Sequence, residues 1–153
     1  MPLNLAIREA DKGDYDAIAN VWHAGASRMD GLPGPTPGLD DFRARLEKEL
    51  AEGWELFAAC DGVRIVGMLA LKPRERRLDQ LFVLPSEHGR GIGRALLDFA
   101  KRRMVDGFRL RTPAFNEAAQ RFYAREGLRP AGEGRHPSNG RPVRFYEWPN
   151  AAS

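Results

Sequence analysis

The chain contains one cysteine, Cys60, among its 153 residues. A lone thiol excludes an internal disulfide and suits a reducing, cytoplasmic setting. Histidine is scarce too: His23, His88 and His136 are the only three. Neither among themselves nor with Cys60 do they show metal-ligand spacing, so no metal site is expected. No run of 18 apolar residues is present, which excludes a helical membrane span. The opening Met1-Pro-Leu-Asn-Leu-Ala-Ile-Arg8 has no basic region leading into an apolar one, so it does not read as a secretion signal. Internal repeats and low-complexity segments are absent. A large excess of one charge sign is also lacking, the formal net charge being +3. The basic residues do cluster, as Arg74, Arg76 and Arg77, as Arg90 with Arg94, and as Lys101, Arg102 and Arg103. Without a larger excess or an aromatic ladder, solvated faces explain the first and third groups, and nucleic-acid binding is disfavoured.

What remains is an ordinary globular composition, 42% hydrophobic and 29% charged. The length suits one domain spanning residues 1–153 with a substantial core. Leu3 to Arg8 alternates apolar and polar residues and predicts a strand. Tyr15, Ile18, Ala19, Val21 and Trp22 recur at helical spacing from about Asp14. Met29 to Leu39 holds three prolines and three glycines and predicts a loop. Asp40 is positioned to cap a helix carrying Phe42, Leu46, Glu47 and Leu50 up to Gly53. Trp54 to Cys60 and Val63 to Leu71 predict a hairpin, with Asp61-Gly62 as a type I′ turn. Phe108 to Arg111 predicts a short strand. Asn116 is placed to cap a helix in which Ala118, Ala119, Phe122 and Tyr123 share a face. Gly127 would stop that helix, Leu128 to Ala131 form a strand, Gly132 to Arg141 a loop, and Val143 to Trp148 a final strand. This order predicts an α/β protein of the α+β type, with a mixed, largely antiparallel central sheet of about six to seven strands flanked by about four helices.

The most informative stretch runs from Leu78 to Leu97. Leu81, Phe82, Val83 and Leu84 form an apolar run that Pro85 ends. Gly89, Gly91 and Gly93 follow, and then Ile92, Leu96, Phe99 and Ala100 mark a helix. Glycines at a helix start let the backbone approach a ligand, while unpaired N–H groups and the macrodipole favour an anion. The spacing is not a Walker loop, because Arg94 and Ala95 follow the last glycine. It is not a Rossmann fingerprint either: the glycines fall as G-x-G-x-G, and residues 94–153 are too few for a full dinucleotide fold. Taken alone, the loop is either a phosphate cradle or an ordinary tight turn.

In order and spacing, three segments together resemble the GNAT superfamily of N-acetyltransferases. They are Leu78 to Gly93, whose His88-Gly-Arg-Gly-Ile-Gly93 matches the family's [QR]-x-x-G-x-[GA] loop except at His88; Asn116 to Leu128, with asparagine at a helix start and Tyr123 near its end; and Ile7-Arg-Glu-Ala10 before an aspartate-led helix. The resemblance covers about Leu3 to Trp148. It implies that acetyl-CoA is the co-substrate and that the backbone from Gly89 through Arg90, Gly91, Ile92 and Gly93 to Arg94 holds the pyrophosphate. Leu81, Phe82 and Val83 would pair with the pantetheine arm beside a bulge that opens a V-shaped gap. The Val83 N–H would polarise the acetyl carbonyl, Asn116 would contact the pantetheine, and Tyr123 would be the general acid on the leaving thiolate. Because the pyrophosphate is held mainly by backbone groups, His88 should not abolish binding.

The implied reaction moves an acetyl group from a thioester to an amine. An aimed N–H stabilises the charge that develops on the carbonyl oxygen. A phenol of pKa about 10 can return a proton to a thiolate whose conjugate acid lies at about 8.5. The base that deprotonates the amine stays open between Asp79, on the strand before the loop, and a water relay. The resemblance implies acetyl-CoA and an amine acceptor as partners, with no nucleic acid and no membrane, and leaves a homodimer open. Two other functions remain in view: a non-catalytic acyl-CoA-binding or regulatory domain on the same fold, against which Tyr123 argues, and a basic nucleic-acid-binding domain, which would show strong salt dependence. Acceptor choice would fall to Trp22–Leu39, with Met29–Leu39 as a candidate lid, and to Gly132–Arg141. Neither segment carries an acidic cluster that would draw a polycation.

Overall fold

The computed structural model describes residues 3–27 and 37–149. In chain order the elements are β1 (Leu5–Glu9), α1 (Tyr15–Ser27), α2 (Leu39–Ala51), β2 (Glu55–Asp61), β3 (Arg64–Lys72), β4 (Arg77–Val83), α3 (Ile92–Arg103), β5 (Gly107–Pro113), α4 (Glu117–Arg125), β6 (Arg129–Arg135) and β7 (Pro142–Pro149). The expected mixed sheet with four helices is what forms. Its seven strands run β1-β2-β3-β4-β5-β7-β6, and every neighbouring pair is antiparallel except β4 with β5. Most of the lid segment expected over Met29–Leu39 lies outside the described residues.

Two apolar layers sandwich the sheet. On one face Ile18 and Trp22 of α1 and Phe42 and Leu46 of α2 pack on Trp54, Leu56, Ala58, Met68 and Ala70. On the other, Ile92, Leu96, Leu97 and Ala100 of α3 and Tyr123 of α4 pack on Leu69, Leu71, Leu78, Phe108 and Leu110. The alternation of β2 and β3 feeds both layers, so both strands are buried along most of their length.

Several local expectations change. The hairpin loop is Gly62-Val63, since Asp61 still pairs with Arg64. Gly62 alone takes a positive φ, 63°, which is the type II′ pattern rather than type I′. Helix α2 is not capped by Asp40: Gly38 is the N-cap, and the Asp41 carboxylate accepts from the Gly38 N–H at 2.9 Å. The stretch expected as a loop from Gly132 is strand as far as Arg135, because β7 offers a full partner edge. Tertiary pairing overrides the low strand propensity of a Gly-Glu-Gly run there.

Two helix ends fix the geometry used below. After α2, Gly53 takes φ 115° and the Trp54 N–H bonds back to Glu49 O at 3.0 Å. After α4, Gly127 takes φ 91°, its N–H bonds to Ala124 O, and the Leu128 N–H bonds to Tyr123 O at 3.0 Å. Both are Schellman closures that only a residue tolerant of left-handed backbone completes easily. The second stops α4 two residues after Tyr123 and turns the chain into β6.

Candidate active site

Strands β4 and β5 touch only at their N-terminal ends. Their single pair is Arg77 with Arg109, closed by the Arg109 N–H to Arg76 O at 2.8 Å. Beyond it the strands part, and a V-shaped gap opens toward Val83. A bulge accompanies the split: Leu71 pairs with Leu78 and Ala70 with Gln80, so Asp79 is the extra residue. At the far end the Leu84 N–H donates to Val66 O at 2.9 Å. Strand alternation then turns the amides of Leu81 and Val83 to the opposite edge, which faces the gap.

At the open end of the gap the glycine loop meets α3. Gly89 and Gly91 hold φ 83° and 81°, and a Cβ at either would meet nothing within 4 Å. Gly91 is the N-cap of α3 and supplies no side-chain cap. The first intrahelical bond runs from the Ala95 N–H to Gly91 O, which leaves the amides of Ile92, Gly93 and Arg94 directed out of the helix end. Open glycine positions with outward amides form a cradle suited to a diphosphate.

Gap and cradle line one cavity of about 730 Å³. It brings together Leu81, Phe82, Val83, His88, Gly89, Gly91, Ile92, Gly93, Arg94, Asn116 and Tyr123. Two expected residues are not in its lining. The Arg90 guanidinium turns to the Glu87 carboxylate at 2.7 Å and to Asp61 at 3.3 Å. Glu87 is itself buried, and Arg90 and Arg64 hold its carboxyl below the usual carboxylate range. Arg90 therefore ties the loop to the β2–β3 hairpin, and only its backbone remains for a ligand. Asp79 lies on the α1/α2 face of the sheet. Its carboxylate accepts from Trp54 Nε1 at 2.7 Å and Arg77 Nε at 3.1 Å, a structural engagement that the sequence did not signal.

Other residues take defined places. The side-chain oxygen of Asn116 caps α4 by accepting from the Ala119 N–H at 3.2 Å. His88 Nε2 reaches Val83 O at 3.2 Å and draws the loop onto the end of β4. Tyr123 is 8% exposed. Burial pushes its hydroxyl up to about 12, so the phenol stays protonated at neutral pH. Its ring packs against Phe122 and Tyr146, and among the described residues the hydroxyl has no hydrogen-bond partner. Sequence reasoning did not assign Gly25, Phe122 and Glu126 to the cavity. Phe122 was visible on the apolar face of α4. Gly25 was not: it lets α1 approach β4 so closely that a Cβ there would collide with the Phe82 ring. Among the described residues no group of His, Cys, Asp and Glu could hold a metal, and no helix is long and apolar enough to cross a membrane.

Comparison with known proteins agrees with this geometry. Residues 52–129 match the model of the acetyltransferase (GNAT) domain. Among solved structures, YjaB from Escherichia coli superposes with a TM-score of 0.73 at 20% identity, covering 96% of this chain and 99% of that one. An acetyltransferase from Thermus thermophilus gives 0.75 at 24% identity, covering 96% and 97%. The yncA protein of Salmonella typhimurium, solved with its cofactor acetyl-CoA, gives 0.68 at 18% identity, covering 95% and 93%. At these identities the likeness is one of fold. No curated protein matches the chain in sequence.

Proposed function

The chain belongs to the GNAT acetyltransferase family, and from that premise we propose that it is a single-domain N-acetyltransferase that uses acetyl-CoA to acetylate a primary amine by direct attack in a ternary complex. The observation that carries this reading is the shared cavity. An unpaired strand edge, a left-handed glycine cradle at a helix start and a tyrosine hydroxyl with no hydrogen-bond partner among the described residues all open into the same 730 Å³.

The residues present fit acetyl-CoA. The amides of Ile92, Gly93 and Arg94, with the open positions of Gly89 and Gly91, suit its pyrophosphate. The free edge at Leu81 and Val83 suits the amides of its pantetheine arm, with Asn116 at the start of α4 on the opposite wall. When bound it supplies an activated acetyl group as a thioester. The Val83 N–H donates toward the acetyl oxygen, a type of contact whose loss costs about 3–4 kcal/mol. Tyr123, neutral and without another partner among the described residues, donates to the thiolate side. Asp79 acts as an anchor that holds Trp54 and Arg77 at the bulge, and the amine loses its proton through water. Positioning of amine and acyl group in the narrow gap accounts for much of the remaining acceleration.

The test is a calorimetric titration with acetyl-CoA, NAD and ATP, followed by a thiol-release assay across amines, amino acids and peptides. Selective acetyl-CoA binding with amine-dependent thiol release supports the reading. Binding without turnover on any amine would replace it with the non-catalytic acyl-CoA-binding role.

A further inference from the structure

Beyond the last β4–β5 pair, on the α1/α2 face of the sheet, one cation has no anion among the described residues. Arg111 lies on β5 beyond the last β4–β5 pair, where the two strands have already separated. Phe108 and Leu110 are buried under α3, so alternation puts Arg109 and Arg111 on the other face of the sheet, away from the cofactor helix. Arg109 is engaged there: its guanidinium stacks on Phe145 at 4.5 Å and donates to Ala131 O at 3.0 Å. Arg111 is half-buried and has no hydrogen bond or ion pair among the described residues.

The charges around Arg111 do not neutralise it. Those that act on it are Asp79, Arg77, Arg45 and Glu49, and burial depresses its pKa. Asp79 is already bonded to Arg77 and Trp54, and Glu49 pairs with Lys72 at 3.7 Å. Arg45 rests over the Trp22 ring at 5.1 Å. Among the described residues, two cations, Arg111 and Arg45, are thus left without an acidic partner. His136, on the loop between β6 and β7, adds no positive charge. Burial together with Arg111 and Arg45 lowers its pKa, and its Nδ1 accepts from the Ser138 N–H at 3.0 Å. That bond assigns the proton of the neutral ring to Nε2, a further donor beside Arg111.

We propose that Arg111 reads the carboxylate of the acceptor, and that the acceptor is therefore an amine of the amino-acid class rather than a neutral amine or a polyamine. The inference rests on the acetyltransferase reading above and names the substrate class of that same gap. A partly desolvated guanidinium is a strong bidentate donor for a planar carboxylate, and an unpaired buried charge is unfavourable until an anion meets it. The bound carboxylate would satisfy Arg111 while the neighbouring amine enters the gap toward Val83. A polycation would instead meet the two arginines that have no acidic partner among the described residues.

The test uses the full chain with saturating acetyl-CoA and four matched acceptors: an α-amino acid, its carboxamide, the corresponding alkylamine and the corresponding aminophosphonate. Thiol release gives kcat/KM for each, in the wild type and in Arg111→Met and Arg111→Lys. The expected result is about a tenfold or larger preference for the amino acid over its amide, lost in Arg111→Met and partly recovered in Arg111→Lys. Acetyl-CoA affinity and thermal stability should match across the three proteins, which separates a lost contact from a damaged fold. Equal use of amide and amino acid by the wild type, or a uniform fall on all four acceptors in Arg111→Met, would overturn the proposal and leave the acetyltransferase reading standing. Preference for the phosphonate would overturn the carboxylate assignment. Acetyl-CoA binding with no transfer to any of a wider amine panel would refute the function itself, and this inference with it.

Discussion

Replacing Gly91 separates a backbone requirement from a ligand requirement. Gly91 caps α3 with φ 81°, a conformation that costs an L-residue roughly 1–2 kcal/mol. A Cβ there meets nothing within 4 Å, so no steric clash inside the protein adds to that penalty. For a domain of this size the stability loss corresponds to a fall in Tm of about 2–8 °C, and Gly91→Val stays folded at room temperature. The open space around the Cβ is where the cofactor diphosphate would lie against the amides of Ile92, Gly93 and Arg94. Hydrogen bonds to charged groups are worth about 1.5–3 kcal/mol each, so losing even one weakens acetyl-CoA binding by about 10- to 150-fold. Gly91→Ala also meets the left-handed penalty, but without valine's β-branch, which adds to it, and with a smaller intrusion, so it should lose less affinity and less stability. Calorimetric titration of acetyl-CoA, with thermal melting of each protein, measures both quantities. A Gly91→Val protein that binds acetyl-CoA as tightly as the wild type would refute the placement of the diphosphate at this helix start.

Tyr123→Phe should lower kcat while leaving the acetyl-CoA Kd unchanged, because the hydroxyl acts on a thiolate that forms only late in the reaction; an unchanged single-turnover rate would reduce Tyr123 to a packing residue. His88→Gln should be near-neutral for acetyl-CoA affinity, since a glutamine amide can still donate to Val83 O, and a loss beyond about tenfold by calorimetry would assign the imidazole a direct role. Asp14 supplies an acid-stability prediction. Its carboxylate accepts from both terminal guanidinium nitrogens of Arg8, at 2.6 and 2.9 Å, and from the Asp11 N–H, and the Arg8 bond leads in lowering its pKa from 3.8 to about 2. A folded pKa below the unfolded one contributes stability that is present above the unfolded value and lost as pH falls through the folded one. Urea midpoints should therefore show Asp14→Asn less stable than wild type near neutrality. The difference should shrink as pH drops from about 4 toward 2, and a difference independent of pH would rule out the charged pair as its source.

Sequence alone determined the local elements and the character of the glycine loop. The apolar run at Leu81–Leu84, the glycines at 89, 91 and 93, the cap at Asn116 and the stop at Gly127 are short-range signals. Each depends on backbone chemistry within a few residues, and each appears in the structure within a residue or two of its expected place. Where neighbours decided the outcome, the sequence was silent or misleading. The loop expected from Gly132 became strand because β7 offered an edge. Asp40 yielded the helix start to Gly38 because Asp41, one residue on, reached the backbone first. Arg90 looked like a ligand for an anion, but the buried carboxylate of Glu87 and the hairpin carboxylate of Asp61 claimed it. Asp79 looked like a free base and proved to be a bulge residue held by Trp54 from across the sheet. The gap itself was invisible in one dimension, since it exists because two parallel strands pair once and then diverge. Only that divergence brings the β4 edge, the α3 start and the α4 hydroxyl into one cavity, and only the sheet's alternation puts Arg111 on its far side, where it has no partner among the described residues. Short-range backbone preferences are written residue by residue, whereas which charges cancel and which stay unpaired depends on contacts between segments tens of residues apart.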